Sequence, residues 1–265
     1  MELAAGNLDV WSMVRQHRRM LANLDLYLTP KSRILDFGCG EGNFVYEYRD
    51  AGYDAYGFDI RPSVILRQPE DCQFFRYSLT GRAVNNPDYR IDPVNYRIPY
   101  DDESFDFIFS SSTLEHVQDL KSAFAEMARV LRKGGVAIHV FPPRYIWVEP
   151  HIYVPLGGAI QHVAWYWLWA SLGIRNEFQH KMTALECAKN NMLYAKTGLN
   201  YPSFKTIMKL AKSYYSCVMP IPRLWEISRG GYVRNIGLPL FVQKFERLSH
   251  FYYNRFINIV LFLQR

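Results

Sequence analysis

Nowhere in its 265 residues does the chain hold a C-x-x-C pair. Its four cysteines, Cys39, Cys72, Cys187 and Cys217, stand far apart, which argues against a zinc ribbon or a disulfide framework and for a reducing compartment. Long apolar runs are missing as well. The most apolar stretches, Val163 to Ile174 and Phe256 to Leu263, fall well short of the ~20 residues that cross a bilayer. Arg15, Arg18 and Arg19 interrupt any apolar run between Met1 and Met20, so no secretory signal is expected. There is no internal repeat, no low-complexity tract, no Lys/Arg-rich run and no RNA-binding module, which makes nucleic acid an unexpected partner. No His/Asp/Glu set has metal-ligand spacing along the chain, so no metal is expected either. These absences lead to the expectation of a soluble, cytoplasmic protein, with contact at a membrane surface left open.

What the chain has in plenty is aromatic residues and an uneven charge. It holds 19 Tyr, 17 Phe and 6 Trp, enough to fill a core, line a cavity or sit at a membrane interface. Residues 1–150 carry 17 Lys+Arg against 21 Asp+Glu, a net −4, whereas residues 151–265 carry 14 against 4, a net +10. An acidic first part and a basic second part suggest divided work, or merely a solubilising surface.

Periodicity divides the chain further. Leu8, Trp11, Val14, Leu21, Leu24 and Leu28 recur at near-helical spacing, predicting a helix from Asn7 to Leu28 that Pro30 ends. Strands are expected at Arg33 to Phe37, Asp54 to Phe58, Phe105 to Ser110 and Val136 to Phe141. Gln73 to Tyr77 and Tyr89 to Ile91 are both candidates for a third strand. Helices are expected at Gly42 to Ala51 and Leu120 to Leu131, with Lys133-Gly134-Gly135 turning the chain into the strand that follows. Alternating strands and helices argue for an α/β domain with a mainly parallel sheet. After Phe141, four prolines interrupt regular structure before helical stretches at Ala159 to Leu172, Thr183 to Ala195 and Ser203 to Tyr215. Phe256 to Leu263 suits a last buried strand.

The most specific signal is Asp36-Phe37-Gly38-Cys39-Gly40-Glu41-Gly42, lying between a strand and a helix. Glycines there permit a tight turn and let a ligand approach the backbone beside the positive end of a helix. A nicotinamide fingerprint would need glycine at position 43, where the chain has Asn43. The pattern resembles motif I of the class I S-adenosylmethionine (SAM)-dependent methyltransferases. Further segments agree in order: Asp59 ends the second strand 21 positions after Gly38, and Ile98-Pro99-Tyr100, Phe105-Asp106, Leu114-Glu115-His116-Val117 and Leu131-Arg132-Lys133-Gly134-Gly135 follow. The resemblance covers roughly residues 30–142.

It implies a Rossmann-like, doubly wound, mainly parallel seven-stranded sheet, with SAM as cofactor. By the same resemblance, Asp36, Gly38, Gly40 and Gly42 hold the methionyl end, Asp59 the ribose, and Ser111 lies close by. An acid after the third strand contacts adenine in the family, and Asp92 is the best match. It stands seven residues before Pro99, more than the usual gap, so Val94 or Asn95 can occupy that place instead. The segments read as an N-terminal helix (1–30), a SAM-binding core (31–142), an aromatic helical insertion or lid (143–202), and a C-terminal helix with the last strands (203–265).

For the acceptor, His116 is a candidate general base or a helix-start residue that packs and caps. Glu149 and His151, two apart on an expected extended segment, point to one side. They can form a base with its orienting partner, or a loop ion pair. His139 belongs inside a strand and reads as core. The segment Arg144 to Pro155 resembles one in family members with a large insertion after the fifth strand, some of which act in cell-surface polysaccharide or other sugar pathways. Trp165, Trp167 and Trp169, at every second position, spread around a helix rather than sharing a face. Three acceptor readings follow: a sugar or other small polar metabolite, phosphate-bearing or lipid-linked; a lipid or quinone at a membrane surface; and RNA, which the scattered basic residues disfavour.

Overall fold

The computed structural model describes residues 13–40, 42–59, 74–76, 97–98, 100–221 and 246–265. Seven strands form one sheet: β1 (Arg33–Phe37), β2 (Asp54–Asp59), β3 (Phe74–Arg76), β4 (Phe105–Ser111), β5 (Leu131–Phe141), β6 (Cys217–Pro220) and β7 (Ile259–Gln264). Their order is β3-β2-β1-β4-β5-β7-β6. The first five run parallel, and β7 lies antiparallel to both β5 and β6. Order reverses at β1, and ligands of open α/β sheets bind in the crevice at such a switch point, beyond the carboxyl ends of the strands.

Strands buried on both faces read as apolar runs rather than alternations, as β1 and β4 do. One face packs Leu35, Ile108, Ala137 and Leu261 against α3 (Leu120–Val130) and α6 (Phe204–Ala211). The other packs Ile34, Phe109, Ile138 and Val260 against α1 (Met13–Ala22), α2 (Asn43–Asp50) and α7 (Glu246–Phe256). The sheet is therefore doubly wound. His139 lies in its middle, fully buried, with Nδ1 2.8 Å from the Ser110 hydroxyl; burial lowers it to about 3. It is a core residue, as its strand position suggests.

Several element ends differ from the periodicity: the helices expected from Ala159 and to Tyr215 begin at Val163 and end at Ala211, and three further ends have a visible cause. Helix α1 stops at Ala22, short of Leu28, because Asp25 takes a left-handed φ of 56° and the Leu26 amide turns back to the Leu21 carbonyl. Strand β5 begins at Leu131, so the expected turn at Gly134 lies within it. Gly134 has a φ of 74°, and its amide donates to the Arg265 carbonyl at the chain end. Phe256 closes α7 instead of opening β7, its ring stacked on Trp147 at 5.1 Å. The strand candidate Tyr89 to Ile91 lies outside the described residues, whereas Phe74–Arg76 does form β3.

The segment after β5 builds a small core of its own. α4 (Val163–Ser171) packs on α5 (Ala184–Thr197) around Tyr166, Ala188, Ala195, Ile152 and Val154. Trp165 and Trp169 lie one helical turn apart and meet edge to face at 5.6 Å, so two of the three indoles serve this core. Trp167, between them, is 47% exposed. No helix among the described residues is long and apolar enough to cross a membrane.

Candidate functional site

Beyond the carboxyl end of β1 the chain makes three left-handed glycines within five residues: Gly38 (φ 80°), Gly40 (φ 52°) and Gly42 (φ 78°). The Gly38 and Cys39 amides both donate to the Phe58 carbonyl of β2, at 2.7 and 3.1 Å, and the Gly40 amide donates to the Asp59 carboxylate at 2.8 Å. Gly42 stands at the N-cap of α2, and no side-chain hydrogen bond caps that helix. A Cβ on Gly38 would lie 2.2 Å from the Thr113 side chain, whereas one on Gly40 would meet nothing within 4 Å. The loop thus leans on the turn after β4 at one glycine and is open at another.

Replacing Gly38 by alanine should therefore harm the fold before any ligand is considered. A left-handed alanine costs about 1–2 kcal/mol without the clash. At roughly 2–4 °C per kcal/mol, the melting temperature should fall by at least about 3 °C. An unchanged melting temperature for Gly38→Ala would mean that the loop can relax away from Thr113.

Asp36 is buried below this loop, and its Oδ2 has no hydrogen-bond partner. Burial, and then the charge of nearby Asp59, push it up to about 8. Two carboxyls held together in a dry place make a site that gains from a cation. SAM carries two, an ammonium and a sulfonium, so the orphaned oxygen and the open glycine fit this cofactor. Ser111 ends β4 half-buried, and its carbonyl accepts from the Thr113 hydroxyl at 3.1 Å. The position expected to contact adenine, Asp92 with its alternatives Val94 and Asn95, lies outside the described residues.

One turn beyond Thr113 stands His116, whose amide donates to the Thr113 carbonyl at 2.9 Å. Its Nδ1 lies 2.7 Å from the Gly198 carbonyl, and its Nε2 lies 3.1 Å from the Nε2 of His151. His151 Nδ1 in turn lies 2.6 Å from Glu149 Oε1. Two candidates that were separate in sequence are thus one hydrogen-bonded chain: Glu149, His151, His116. Glu149 and His151 meet across a tight turn, closed by the Tyr153 amide on the Glu149 carbonyl, rather than along an extended segment. Tyr153 has a left-handed φ of 59° there.

Glu149 is fully buried and well supplied with donors. Its carboxylate accepts from the His151 and Ile152 amides at 2.8 and 2.9 Å and from the Tyr201 hydroxyl at 2.8 Å. Burial alone would raise its pKa, but the hydrogen bonds and charge of its partners win and hold it below the usual carboxylate range. Burial likewise disfavours charged His151, yet Glu149 outweighs it and the imidazole is held above its ordinary value. Tyr201, half-buried against Glu149, is pushed up by desolvation and then by that carboxylate, and stays protonated. Glu115, next to His116 in sequence, is also fully buried, and neither carboxylate oxygen is hydrogen-bonded to another described residue. Burial pushes it up to about 7.

Sequence reasoning missed Tyr201, Gly198 and Asn200. The Asn200 amide donates to the Glu115 carbonyl at 2.6 Å, and its side chain donates to Val117 at 2.7 Å. All three follow α5 and carry no recognisable motif. Glu115 was visible inside the Leu-Glu-His run but not as a site residue.

The methyltransferase domain family matches residues 35–139, from β1 through β5. The chain carries a SAM-dependent methyltransferase domain. An uncharacterized methyltransferase of Schizosaccharomyces pombe is 29% identical over 110 residues, which are 41% of this chain and 39% of that protein. The malonyl-[acyl-carrier protein] O-methyltransferase of Buchnera aphidicola is 25% identical over 51% of this chain and 49% of its own length. The demethylmenaquinone methyltransferase of Renibacterium salmoninarum is 30% identical over 48% of each. The matched part is thus under half the length of each of these relatives. The domain match ends at residue 139, before Glu149, His151 and Tyr201. The matched residues include the glycine loop, Asp36, Asp59 and His116.

Proposed function

We propose that the whole chain is an O-methyltransferase that transfers the methyl group of SAM to a hydroxyl of a sugar or similar small polar metabolite, presented on a phosphate-bearing or lipid carrier. Asp36, Gly38, Gly40, Gly42, Asp59 and Ser111 hold the donor in this reading, with Asp92 the adenine contact. The bound donor supplies an electrophilic methyl on a sulfonium. The chain's own residues fix the acceptor in line with that methyl, which accounts for much of the rate. His116 accepts the hydroxyl proton, and His151 and Glu149 orient and stabilise it.

One observation carries this reading: the Glu149–His151–His116 chain starts in a buried carboxylate and ends one turn from the residue that touches Gly38. An acceptor that ionises unaided would not need such a chain. The ring of Tyr194, 5.7 Å from that of His151, and the half-buried Tyr201 supply aromatic walls of the kind that sugars stack on.

The test uses radiolabelled SAM with nucleotide sugars and polyprenyl-phosphate sugars as acceptors. The expected product is a methyl ether, stable to alkali. His116→Ala should lower turnover about 10²–10⁴-fold while SAM affinity stays within a factor of two. Label released by alkali as methanol would identify a carboxyl acceptor and overturn the reading.

A second reading is favoured by the surface of the insertion. Trp167, Leu168, Leu172 and Phe178 are exposed there, within a part of the chain that carries the net +10. Aromatic and basic residues together suit an anionic membrane surface, with a lipid or quinone as acceptor. Flotation with anionic vesicles at low salt separates the two, since only the second requires association with bare lipid.

A further inference from the structure

Each imidazole of the pair at His116 and His151 has its Nδ1 committed. The partner of His116 Nδ1 is a backbone carbonyl, and that of His151 Nδ1 is a carboxylate. Both partners only accept, so each Nδ1 carries its hydrogen. The two Nε2 atoms then face one another at 3.1 Å, so either a shared proton or a metal cation can sit between or beside them. Glu115 supplies a third donor to the same spot. Its Oε1 lies 3.9 Å from His116 Nε2, both its oxygens are buried with no hydrogen bond to another described residue, and one ligand atom from each of the three residues lies within 4.8 Å of the others.

We propose that Glu115, His116 and His151 form a binding site for a divalent transition-metal ion of the zinc class. Two imidazole nitrogens and one carboxylate oxygen match a catalytic rather than a structural zinc set, because three protein ligands leave a fourth position open. Imidazole selects zinc, iron, nickel or copper over magnesium and calcium, which prefer all-oxygen cages. The outer contacts are also those of a metal site. A histidine ligand ordinarily donates its other N–H to a carboxylate or backbone carbonyl, as Glu149 and Gly198 receive here. Ligands at ~2.0–2.1 Å from a tetrahedral centre lie about 3.3–3.4 Å apart, so the histidine pair is near that spacing and Glu115 must swing inward.

Sequence spacing hides the cluster because its members come from two distant turns, after β4 and after β5. The inference goes beyond the methyl-transfer reading and does not depend on it. With the ion bound, His116 Nε2 is a ligand and not the base, and a hydroxyl in the open position would lose its proton to solvent more readily, a route to the same nucleophile in place of the imidazole.

Titration of the full chain, freed of metal, with Zn²⁺ by calorimetry and with Co²⁺ by visible absorption tests the site. One equivalent should bind, with a cobalt band typical of mixed nitrogen and oxygen ligands, and Mg²⁺ at the same concentration should not compete. His151→Ala and the isosteric Glu115→Gln should each weaken binding by more than about 100-fold, and Glu149→Gln by about 10–100-fold. His180→Ala, at an exposed histidine, should change nothing. Should Glu115→Gln fail to fold, His151→Ala decides alone. Absence of saturable Zn²⁺ binding, or binding indifferent to both ligand variants, overturns the proposal. The alkali-stable product would still stand or fall separately, since it does not depend on the metal.

Discussion

Glu149→Ala should lower the melting temperature by roughly 6–20 °C, from a cost of about 3–5 kcal/mol for breaking a buried charged pair. The carboxylate is fully buried and accepts two backbone amides, the Tyr201 hydroxyl and the His151 ring. Removing it strands all four donors in a place water reaches poorly. Tyr201→Phe removes one of those donors and should cost about 1 kcal/mol. The two changes should not add, because Tyr201 loses its partner once Glu149 is gone; a coupling of about 0.5–3 kcal/mol is expected in the double-mutant cycle. A melting temperature within ~2 °C of wild type for Glu149→Ala, equivalent to about 1 kcal/mol or less, would remove the acid from its central place.

The affinity for SAM should rise with pH up to about 8, and Asp36→Asn should flatten that rise. The sign follows from where the proton sits. Asp36 in the ligand-free chain is held up to about 8, so near neutral pH it is largely protonated. A cationic ligand beside it favours the ionised form, so binding expels a proton, and binding that releases protons strengthens as pH rises. The limit is a tenfold gain per pH unit for one proton released, ending once the pH passes the ligand-free value. Calorimetry in two buffers of different ionisation heat reads the released proton directly. Equal heats after correction, with flat affinity between pH 6 and 8, would show that Asp36 does not meet the cofactor's charge.

The glycine loop and its two acids were legible because their chemistry is local. Gly38, Gly40 and Gly42 act through backbone angles that few other residues adopt, and each lies within a few positions of the next. Asp36 and Asp59 close two neighbouring parallel strands, so their nearness follows from strand order alone. The histidine pair lacked that advantage. His116 and His151 were visible as residue types, yet nothing in their spacing placed one ring against the other. Tyr201, Gly198 and Asn200 reach the site only because α5 returns the chain to the turn after β4. Misjudged element ends share a cause: Gly134 and Phe256 were read from propensity, and the sheet pairing of Arg265 and the stacking of Trp147 on Phe256 decided otherwise.

Asn200 has a wider effect than its size suggests. Its amide and side chain hold the carbonyls of Glu115, Val117 and Gln118, while two residues earlier Gly198 holds the ring of His116. The end of α5 cannot move away without giving up every one of these bonds, and with them the orientation of the His116 imidazole. The helical segment after β5 and the hydrogen-bonded Glu149–His151–His116 chain are therefore tied together as one mechanical part. If the insertion swings to admit an acceptor, the motion must leave this clamp intact or switch the chemistry off while the door is open.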